Sequence, residues 1–418
     1  MLTEAMLIVG AGQAGIQVAE SLRQDGHTGS ITLLGEEAYG PYNRPPLSKK
    51  WLLEQPDVSS LAIRGAEAIA RREIKLVTGT RVAGIDRAAQ QVHLENGQRL
   101  PYAGLALCTG ASLRSLPLPG AALDGVYGLK TIDEAQRIAA AFRVCQAAGS
   151  PVVVIGGGFI GLEVAASATK HGLKATVLEG LSRLMSRVVA PIVSDAAHRV
   201  HVAHGVELHY DVKIAELLGG GGQVRAVRLA DGREFPAGCV IVGVGVIPND
   251  QLAMAAGIEC DRGIVVDSCS RTSDSHIVSA GDCAARRAAD GSMRRLESVQ
   301  NAVEQGKSAA AALLGRERPF TATPWFWSDQ YDLKLQMVGL SHGYDQVITR
   351  GDVQKPAFSA FYFHQGRLIA VDSLSRPQDH MLARRLIDAG ISPTPAQVAD
   401  AAFALQSLLP VPAKAAGN

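Results

Sequence analysis

The sequence predicts an α/β protein with two βαβ units and a C-terminal α+β domain. Two stretches predict the βαβ units: AMLIVGAGQAG (5–15) and VVVIGGGFIG (152–161) are short apolar strands that run into glycine-rich turns. Each is followed by a helix-like segment and a second apolar strand that ends in an acid. From about residue 320 the pattern changes to alternating strands before a helical stretch at 377–389. A chain of 418 residues is too long for one ordinary core, so two or three domains are expected.

The first βαβ unit carries a GxGxxG motif formed by Gly10, Gly12 and Gly15. The first glycine permits a tight turn, the second lets a pyrophosphate approach the backbone, and the third lets helix and strand pack closely. Glu36 follows at the end of the next strand, where a carboxylate can accept hydrogen bonds from an adenosine ribose. The unit is therefore predicted to be a Rossmann-like dinucleotide-binding domain.

The second unit repeats this pattern with Gly156, Gly158, Gly161 and Glu179. An acid at the ribose position favours a free 2′-hydroxyl and repels a 2′-phosphate, so NADH is expected in preference to NADPH. Arg183 and Arg187 lie downstream, and leave the strictness of that preference open. Two units suggest two dinucleotides, and the usual pairing is bound FAD with an exchanging nicotinamide.

A third element supports a flavin. HIVSAGDCA (276–284) is a predicted strand that ends in Gly281 and Asp282, where a carboxylate can accept hydrogen bonds from a ribityl chain. A predicted helix starts near Val299, and its N–H groups would face the flavin's pyrimidine end.

The remaining segments give less information. Residues 74–107 are predicted to form a small β-meander, 116–126 to be a boundary, and the Ala/Pro-rich tail to fray. In the stretch GPYNRPPLSKKWL (40–52) the two prolines are expected to exclude a helix and to stiffen the loop.

Composition and charge exclude several classes of protein. The chain is 47% hydrophobic and 19% charged with a net charge of +1, so no global field favours nucleic acid or an acidic membrane. No apolar stretch reaches the roughly 18 residues of a membrane span. The sequence near residue 1 lacks a signal-peptide pattern, and the cytoplasm is the expected location. The six cysteines form no CxxC or CxxxxC, which argues against a disulfide framework, a zinc site or a dithiol redox pair.

The chain resembles the NADH-dependent ferredoxin reductases of the glutathione-reductase-like fold. The specific motifs are RPPLSK (44–49) and PWFWSDQY (324–331), and the glycine motifs, GVGVIPN and ESVQNAVEQG add to them over nearly the full length. The nearest families are the putidaredoxin reductases of bacterial cytochrome P-450 systems and the reductase components of aromatic-ring dioxygenases. The resemblance implies a discontinuous FAD-binding domain at 1–112 and 246–320, an NADH-binding domain at 113–245 and a C-terminal α+β domain at 321–418.

The resemblance also implies individual site residues. Arg44 is expected at the FAD phosphates, and Lys49 at the flavin's N5 edge, where it could pair with Glu163. Glu163 and Glu297 match acids at the nicotinamide, and Lys49 and Glu163 are the expected catalytic residues. Gln300 stands where some relatives have Pro or Ala, and Lys130 where many have Arg. The positions that match FAD contacts of the family are Ala14, Glu36, Lys49, Val82, Lys130, Asp282 and Val299.

The implied function is electron transfer from NADH through FAD to a two-iron two-sulfur ferredoxin, for a cytochrome P-450 monooxygenase. The ferredoxin should be acidic and dock on a local basic face. A dioxygenase reductase, a rubredoxin-directed reductase and an NADH-sensing flavoprotein like the apoptosis-inducing factors remain alternatives, and a monomer is preferred. The arginines considered for the basic face are Arg286, Arg287, Arg294, Arg295, Arg316 and Arg318.

For several other residues, an ordinary structural role is compared with a functional one. His198, His201 and His204 are expected on a polar helix face, not at a metal. Cys283 is expected to be a packed small hydrophobe, and no cysteine precedes Cys108, which argues against disulfide or peroxide chemistry. Trp327 is expected to lie either beside the flavin or in the hydrophobic core of the β-rich C-terminal domain. Lys50 is expected to face water.

Overall fold

The chain alternates strands and helices over residues 3–288 and 291–410, which are the residues that the computed structural model describes. The strands are β1 Met6–Val9, β2 Ile31–Leu34, β3 Ile74–Val77, β4 Val82–Asp86, β5 Gln91–Leu94, β6 Arg99–Pro101, β7 Gly104–Leu107, β8 Ala111–Leu113, β9 Val126–Gly128, β10 Val152–Ile155, β11 Ala175–Leu178, β12 Glu207–His209, β13 Ile214–Gly220, β14 Gln223–Leu229, β15 Glu234–Pro236, β16 Cys239–Val242, β17 Val246–Pro248, β18 Ile264–Val266, β19 Ile277–Ser279, β20 Ala284–Arg287, β21 Met293–Arg294, β22 Trp325–Gln330, β23 Leu333–Gly339, β24 Gln346–Asp352, β25 Ala357–His364 and β26 Arg367–Leu374.

The α-helices are α1 Gln13–Gln24, α2 Lys50–Glu54, α3 Ala66–Ala70, α4 Ile132–Ala148, α5 Phe159–Lys170, α6 Pro191–Ala203, α7 Gln251–Ala255, α8 Val299–Leu313, α9 Pro377–Asp388 and α10 Pro395–Ala399. Short 3-10 turns span Pro45–Ser48, Val58–Leu61 and Leu405–Leu408. Among the helices of the described ranges, none has the length and apolarity that crossing a membrane requires.

The chain divides into two compact units. The first unit comprises Met1–Pro46, Pro56–Arg114 and Gly245–Ala322, and the second comprises Leu47–Gln55, Ser115–Val244 and Thr323–Asn418.

The first unit is built on a five-stranded sheet in the order β19-β7-β1-β2-β3. Its central strand β1 pairs in parallel with β2 and β7, so that Met6 lies opposite both Ile31 and Gly104. All four residues of β1 are buried, as expected for a parallel strand that is covered on both faces. Helices α1 and α8 pack closely because Gly306 has no side chain: an added Cβ would lie 2.9 Å from the Gln17 Cβ.

The second unit repeats the parallel sheet in the order β12-β11-β10-β16-β9. Its central strand β10 pairs in parallel with β11 and β16, and all of its residues are buried. A separate antiparallel sheet, β22-β23-β26-β25-β24, forms the C-terminal part of this unit. Residues of β25 alternate between two cores, since Phe358, Ala360 and Tyr362 pack with α6 residues while Phe361 and Phe363 pack with α9 residues.

Three local expectations are corrected. The segment 74–107 is not one meander: its outer strands β3 and β7 join the parallel sheet, and only β4-β5-β6 form an antiparallel sheet. The double proline does not exclude helical geometry, because Pro45–Ser48 form a 3-10 turn, in which the fixed φ of proline is acceptable. The tail is ordered through α10, where Thr394 supplies a capping box, and Leu405 is buried. The last part of that tail, 411–418, lies outside the described residues.

Candidate functional site

In the first unit, the glycine-rich turn has the geometry that a dinucleotide phosphate site requires. Gly10 has a φ of +108°, and an added Cβ would lie 2.0 Å from the Cys108 carbonyl oxygen. At Gly15 an added Cβ would lie 1.9 Å from the Gly10 carbonyl oxygen. Gly12 differs, because an added Cβ there would meet nothing within 4 Å. The first and third glycines are therefore required by the fold, whereas the second keeps a space open in front of α1.

The turn of the second unit has the same three properties. Gly156 has a φ of +105°, with an added Cβ 2.5 Å from the Gly243 carbonyl oxygen. At Gly161 an added Cβ would lie 2.1 Å from the Gly156 carbonyl oxygen, whereas at Gly158 it would meet nothing within 4 Å.

The starts of α1 and α5 differ from those of the two longer helices α4 and α8. Each begins after a glycine at the N-cap, and neither has a side chain that caps it. By contrast, the Thr131 Oγ1 accepts from the Glu134 N–H at 3.3 Å in a full capping box on α4. On α8 the Ser298 Oγ accepts from the Asn301 N–H at 3.1 Å. Helices α6 and α9 also lack a capping side chain, but each begins with a proline, which has no N–H to offer. The uncapped helix starts and the open second glycines together fit a diphosphate, which the first N–H groups of a helix can bind.

Glu179 is held in place beside the second turn. Its Oε2 accepts from the Gly157 N–H at 2.6 Å, and its Oε1 accepts from the Leu181 N–H at 2.8 Å. Each carboxylate oxygen retains a further lone pair, so a ribose hydroxyl can still donate to it.

Arg183 is engaged elsewhere and does not offset Glu179. Its guanidinium donates to the carbonyls of Val189 and Ser186, both at 2.8 Å, and to the Ser194 Oγ at 2.7 Å. This arginine therefore has a structural role in the loop before α6.

Glu36, at the corresponding place in the first unit, is exposed. It pairs with Arg81 at 3.1 Å, and two-thirds of its side chain is accessible. Its neighbour Glu37 has a more enclosed set of contacts, which the sequence did not reveal. Glu37 accepts from Arg44 at 2.6 Å and from the Tyr42 hydroxyl at 2.6 Å.

Arg44 is anchored by this cluster. Its Nη1 donates to the Tyr42 hydroxyl at 2.7 Å, and the guanidinium carbon lies 4.8 Å from the Tyr42 ring centroid. Burial acts to lower the pKa of Arg44, but Tyr42, Glu37 and Asp282 outweigh it and raise the pKa. A cation fixed in this way is suitable for an anionic ligand such as the FAD diphosphate.

The end of β19 and the start of α8 form the other part of the first unit's candidate site. The Gly281 N–H donates to Gln305 Oε1 at 2.8 Å, and Arg295 donates to the Asp282 carbonyl at 3.0 Å. Arg295 also pairs with Glu297 at 2.7 Å. Gln305 was not predicted, and Arg295 was considered only for the docking face, because the Gly281–Gln305 and Asp282–Arg295 contacts join segments that the sequence does not bring together.

Two buried acceptors at the start of α8 lack partners among the described residues. They are Gln300 Oε1 and Asn301 Oδ1, in residues that are 8% and 1% exposed. Unpartnered buried acceptors are costly, so they mark a place where a ligand donor fits. Val299 is the first residue of this helix and is half-buried. Val82 is also half-buried, at the start of β4. Together with the open turn at Gly12, these features show that the first unit's residues fit a flavin dinucleotide.

In the second unit, Lys49 and Glu163 form an ion pair of 2.9 Å. The Glu163 side chain is 1% exposed and the Lys49 side chain 17%. Two buried hydroxyls also donate to this carboxylate: Ser48 Oγ to Oε2 at 2.5 Å and Ser328 Oγ to Oε1 at 2.6 Å. Neither serine was predicted. Lys50 is largely exposed, as expected, and pairs with Glu54 at 3.5 Å.

The expectation of a polar histidine face is wrong for His201. His201 is fully buried and hydrogen-bonds to Gln330 Oε1 at 3.0 Å, because that face of α6 is covered within the second unit. His198 binds the Tyr210 hydroxyl at 2.7 Å, and His204 stacks on Tyr331 with 3.7 Å between ring centroids.

The structure places the remaining candidate residues, Cys283, Trp327 and Lys130, as follows. Cys283 is buried, with Sγ 3.5 Å from the carbonyl oxygens of both Leu107 and Ala280, which agrees with a packed role. Trp327 is half-buried beside Trp325, with ring centroids 5.5 Å apart. The side chain of Lys130 is half-buried, and its backbone N–H donates to Glu134 at 2.7 Å.

Comparison with known proteins identifies the family. The pyridine nucleotide-disulphide oxidoreductase family matches residues 4–306, and the reductase C-terminal family matches residues 325–409. Rhodocoxin reductase of Rhodococcus erythropolis is 43% identical over 96% of this chain and 93% of its own length. The ferredoxin–NAD(+) reductase component of the anthranilate 1,2-dioxygenase system of Burkholderia cepacia is 38% identical over 98% of this chain and all of its own.

Among solved structures, the ferredoxin reductase for the CYP199A2 system from Rhodopseudomonas palustris has a TM-score of 0.93 and 43% identity. The match covers 96% of this chain and 99% of that one. These findings confirm the predicted fold class and the resemblance. The chain belongs to the pyridine nucleotide-disulphide oxidoreductase family, within its group of FAD-containing, NAD(H)-dependent ferredoxin reductases.

Proposed function

We propose that this protein takes electrons from NADH through bound FAD and delivers them to a two-iron two-sulfur ferredoxin of a cytochrome P-450 monooxygenase. The observation that carries the proposal is the pair of uncapped helix starts behind open glycine turns, one in each unit. Each fits the diphosphate of one dinucleotide. When bound, FAD supplies an acceptor for the two electrons of NADH and a donor that passes them on singly.

The first unit is the proposed FAD site. Its α1 start and Gly12 would face the diphosphate, with Arg44 supplying positive charge and Glu36 accepting from the ribose. Asp282 and the start of α8 at Val299 would hold the ribityl chain and the pyrimidine end. Ala14 and Val82 complete the contacts that we propose in this unit. Lys49 and Lys130 belong to the second unit, and their FAD contacts are retained as predictions from the family resemblance.

The second unit is the proposed NADH site, in which Gly156, Gly158 and Gly161 shape the turn. Glu179 supports the preference for NADH, because a fixed carboxylate accepts from a 2′-hydroxyl and repels a 2′-phosphate. Arg183, which could have offset this repulsion, is occupied by carbonyl groups. Glu297, in the first unit, is retained as a predicted nicotinamide contact.

Lys49 and Glu163 are the proposed catalytic pair. Fixed charge and positioning are the protein's contribution to electron transfer from nicotinamide, since no protein proton donor is needed for that step. The carboxylate is buried and held by two hydroxyls, so the Lys49 ammonium has a rigid counter-ion.

The partner is a ferredoxin, and we propose that it is acidic. Of the arginines considered for its docking face, Arg286 donates to the Phe320 carbonyl at 2.7 Å and Arg295 pairs with Glu297. Both are half-buried, and the exposed arginines are the better candidates: Arg287, Arg294, Arg316 and Arg318. We also propose that the protein is a monomer and that it is located in the cytoplasm.

The anthranilate dioxygenase relative supports one alternative, a reductase for a ring-hydroxylating dioxygenase. The electron-transfer chemistry of this chain would be the same in either system. Reconstitution with each type of oxygenase and its ferredoxin would distinguish the two.

The test of the proposed function begins with gentle purification and anaerobic addition of NADH. The protein should be yellow, bleach rapidly, and reduce cytochrome c only when a two-iron two-sulfur ferredoxin is added. Slow bleaching with a persistent charge-transfer band would favour the NADH-sensing alternative. A colourless protein that does not take up added FAD would contradict the proposal.

A further inference from the structure

The buried carboxylate of Glu163 lies at one end of a continuous chain of hydrogen bonds. Glu163 is on α5, and its Oε1 accepts from Ser328 on β22 at 2.6 Å. The Ser328 Oγ in turn accepts from Gln330 Nε2 at 3.2 Å. Gln330 Oε1 lies 3.0 Å from the His201 Nε2 on α6. All four residues belong to the second unit.

The direction of each hydrogen bond follows from the chemistry of the groups. An amide oxygen can only accept, so His201 Nε2 must carry the proton and donate to Gln330. The Gln330 amide nitrogen can only donate, so Ser328 accepts from it and uses its own proton for Glu163. Every donor in the chain therefore points toward the carboxylate.

Burial makes this direction important. Ser328 and His201 are 0% exposed, Gln330 is 1% exposed and Glu163 is 2% exposed. A buried negative charge requires hydrogen bonds as well as a cation, and bonds in a chain polarise one another. If the hydrogen bonds ran in the opposite direction, a lone pair of the Ser328 hydroxyl oxygen would face the carboxylate instead of its proton.

The environment of His201 keeps its imidazole neutral, which is the protonation state that the hydrogen-bond chain requires. Burial lowers its pKa to about 4, His204 and His198 act in the same direction, and the Gln330 hydrogen bond opposes them. The imidazole is therefore neutral near pH 7. Within the described residues its Nδ1 has no hydrogen-bond partner, so the Gln330 contact alone determines which nitrogen carries the proton.

We propose that Ser328, Gln330 and His201 form a one-way hydrogen-bond relay that positions the Glu163 carboxylate against Lys49. They are positioning residues for the electron-transfer reaction, and this part of the inference rests on the proposed function. Ser48 supports the other carboxylate oxygen but is not part of the relay.

The test measures whether His201 responds to the charge of Glu163, three hydrogen bonds away. The flavin-loaded protein is labelled with ¹⁵N-histidine, and the imidazole signals of its eleven histidines are recorded by NMR. A His201→Gln variant identifies the His201 signal by its loss. Glu163→Gln should shift the His201 Nε2 signal more than that of any other histidine.

Variants in the middle of the relay distinguish it from a general structural effect. In a Ser328→Ala background, Glu163→Gln should no longer shift the His201 signal, whereas a Ser328→Thr background should preserve the shift. Gln330→Leu provides a second break in case Ser328→Ala does not fold. Ser373→Ala is the matched control, because Ser373 is a fully buried serine of the same sheet whose hydroxyl accepts from the Ser359 Oγ at 3.4 Å. It should leave the response intact.

Kinetics provide a second readout. Ser328→Ala should lower the rate of flavin reduction at saturating NADH about tenfold, with KM for NADH unchanged, and Ser328→Thr should restore the rate. An unchanged His201 signal in Glu163→Gln, or a response that persists through Ser328→Ala, would overturn the relay. Failure of the proposed function would look different: NADH would not bleach the protein, while the histidine response would remain.

Discussion

The two glycine-rich turns have nearly the same backbone but different side-chain surroundings. Gly10 and Gly156 have φ angles of +108° and +105°, and in both turns the second glycine faces open space. The acids that follow differ: Glu179 is held by two N–H groups, whereas Glu36 is exposed and paired with Arg81. The first unit instead has Arg44, which lies eight residues after Glu36 and is fixed by Glu37 and Tyr42. The backbone thus repeats one turn geometry, and we propose that the surrounding side chains distinguish the two dinucleotides.

The largest loss of stability should come from substituting the first glycine of each turn. Gly10→Ala and Gly156→Ala should each lower the free energy of unfolding by roughly 3 kcal/mol or more, since both combine a disallowed φ with a backbone clash. Gly10→Ala should be worse because its clash is closer. Denaturant unfolding measures both changes, and a loss below about 0.5 kcal/mol in either variant would contradict the geometry.

Substituting the second glycine of each turn should weaken the binding of one dinucleotide and not the other. Gly12 and Gly158 have φ angles of −87° and −81°, so alanine is tolerated there and the fold should remain. Gly12→Ala should weaken FAD binding and Gly158→Ala NADH binding, each by about 100-fold, or about 2.7 kcal/mol. Fluorescence titration with FAD and the KM for NADH provide the measurements. Loss of the same cofactor in both variants would contradict the assignment.

Reversing the charge at the acid of the second unit should alter cofactor selectivity. Glu179→Arg should raise KM for NADH about 30-fold and improve use of NADPH, because the ribose acceptor is lost and the 2′-phosphate gains a cation. Glu36→Arg is the matched change in the first unit and should leave the selectivity between NADH and NADPH unaltered. Unchanged selectivity in Glu179→Arg would remove this residue from the ribose site.

Removing the cation of the proposed catalytic pair should slow the reaction. Lys49→Met should reduce the rate of flavin reduction by NADH about tenfold. The protein should still fold, since Ser48 and Ser328 continue to hold Glu163. Lys50→Met is the control, because Lys50 is largely exposed and should not affect the rate. If Lys49→Met does not fold, Lys49 is structural and the catalytic role is wrong.

The smallest effect concerns pH and should arise in the second unit. The pKa of His201 is lowered from 6.5 to about 4 in the folded state, so the unfolded state binds the proton more readily between these values. The stabilisation from neutral His201 is complete above about pH 6.5 and is lost as pH falls toward 4. His201→Gln should remove about 1 kcal/mol per pH unit from that dependence.

Asp372 provides a control of opposite sign for this pH dependence. Burial raises the pKa of its carboxyl from 3.8 to about 7, so its contribution to stability is complete below about pH 4 and is lost as pH rises toward 7. Urea unfolding at several pH values checks both groups. A His201→Gln variant with the same acid dependence as the parent protein would contradict the assigned protonation state.

The parts of the fold and site that the sequence predicted depend on local patterns. The glycine spacing and the strand that ends in an acid are short-range signals, so both βαβ units were predicted with their glycines in the right places. The Lys49–Glu163 ion pair followed from a family resemblance rather than from spacing. The roles assigned to the site residues and the predicted domain boundaries stay predictions.

The missed features are contacts between distant segments. Ser328 bonds to a residue 165 positions away, and nothing in its own neighbourhood indicates this. His201 was assigned with His198 and His204 to a polar helix face, because no acidic or cysteine partner accompanies these histidines in the sequence. The strand that covers His201 lies more than 120 residues further along the chain. Side-chain roles of this kind become visible only when the segments are packed together.

The most direct test of the central claim is the electron stoichiometry. Under anaerobic conditions, limiting NADH is added to the yellow protein and an excess of two-iron two-sulfur ferredoxin, and the ferredoxin absorbance is followed. We predict that each NADH reduces two ferredoxin molecules, and that ferredoxin stays oxidised when this protein is omitted. Flavin bleaching without any reduction of ferredoxin, across a panel of such ferredoxins, would contradict the account.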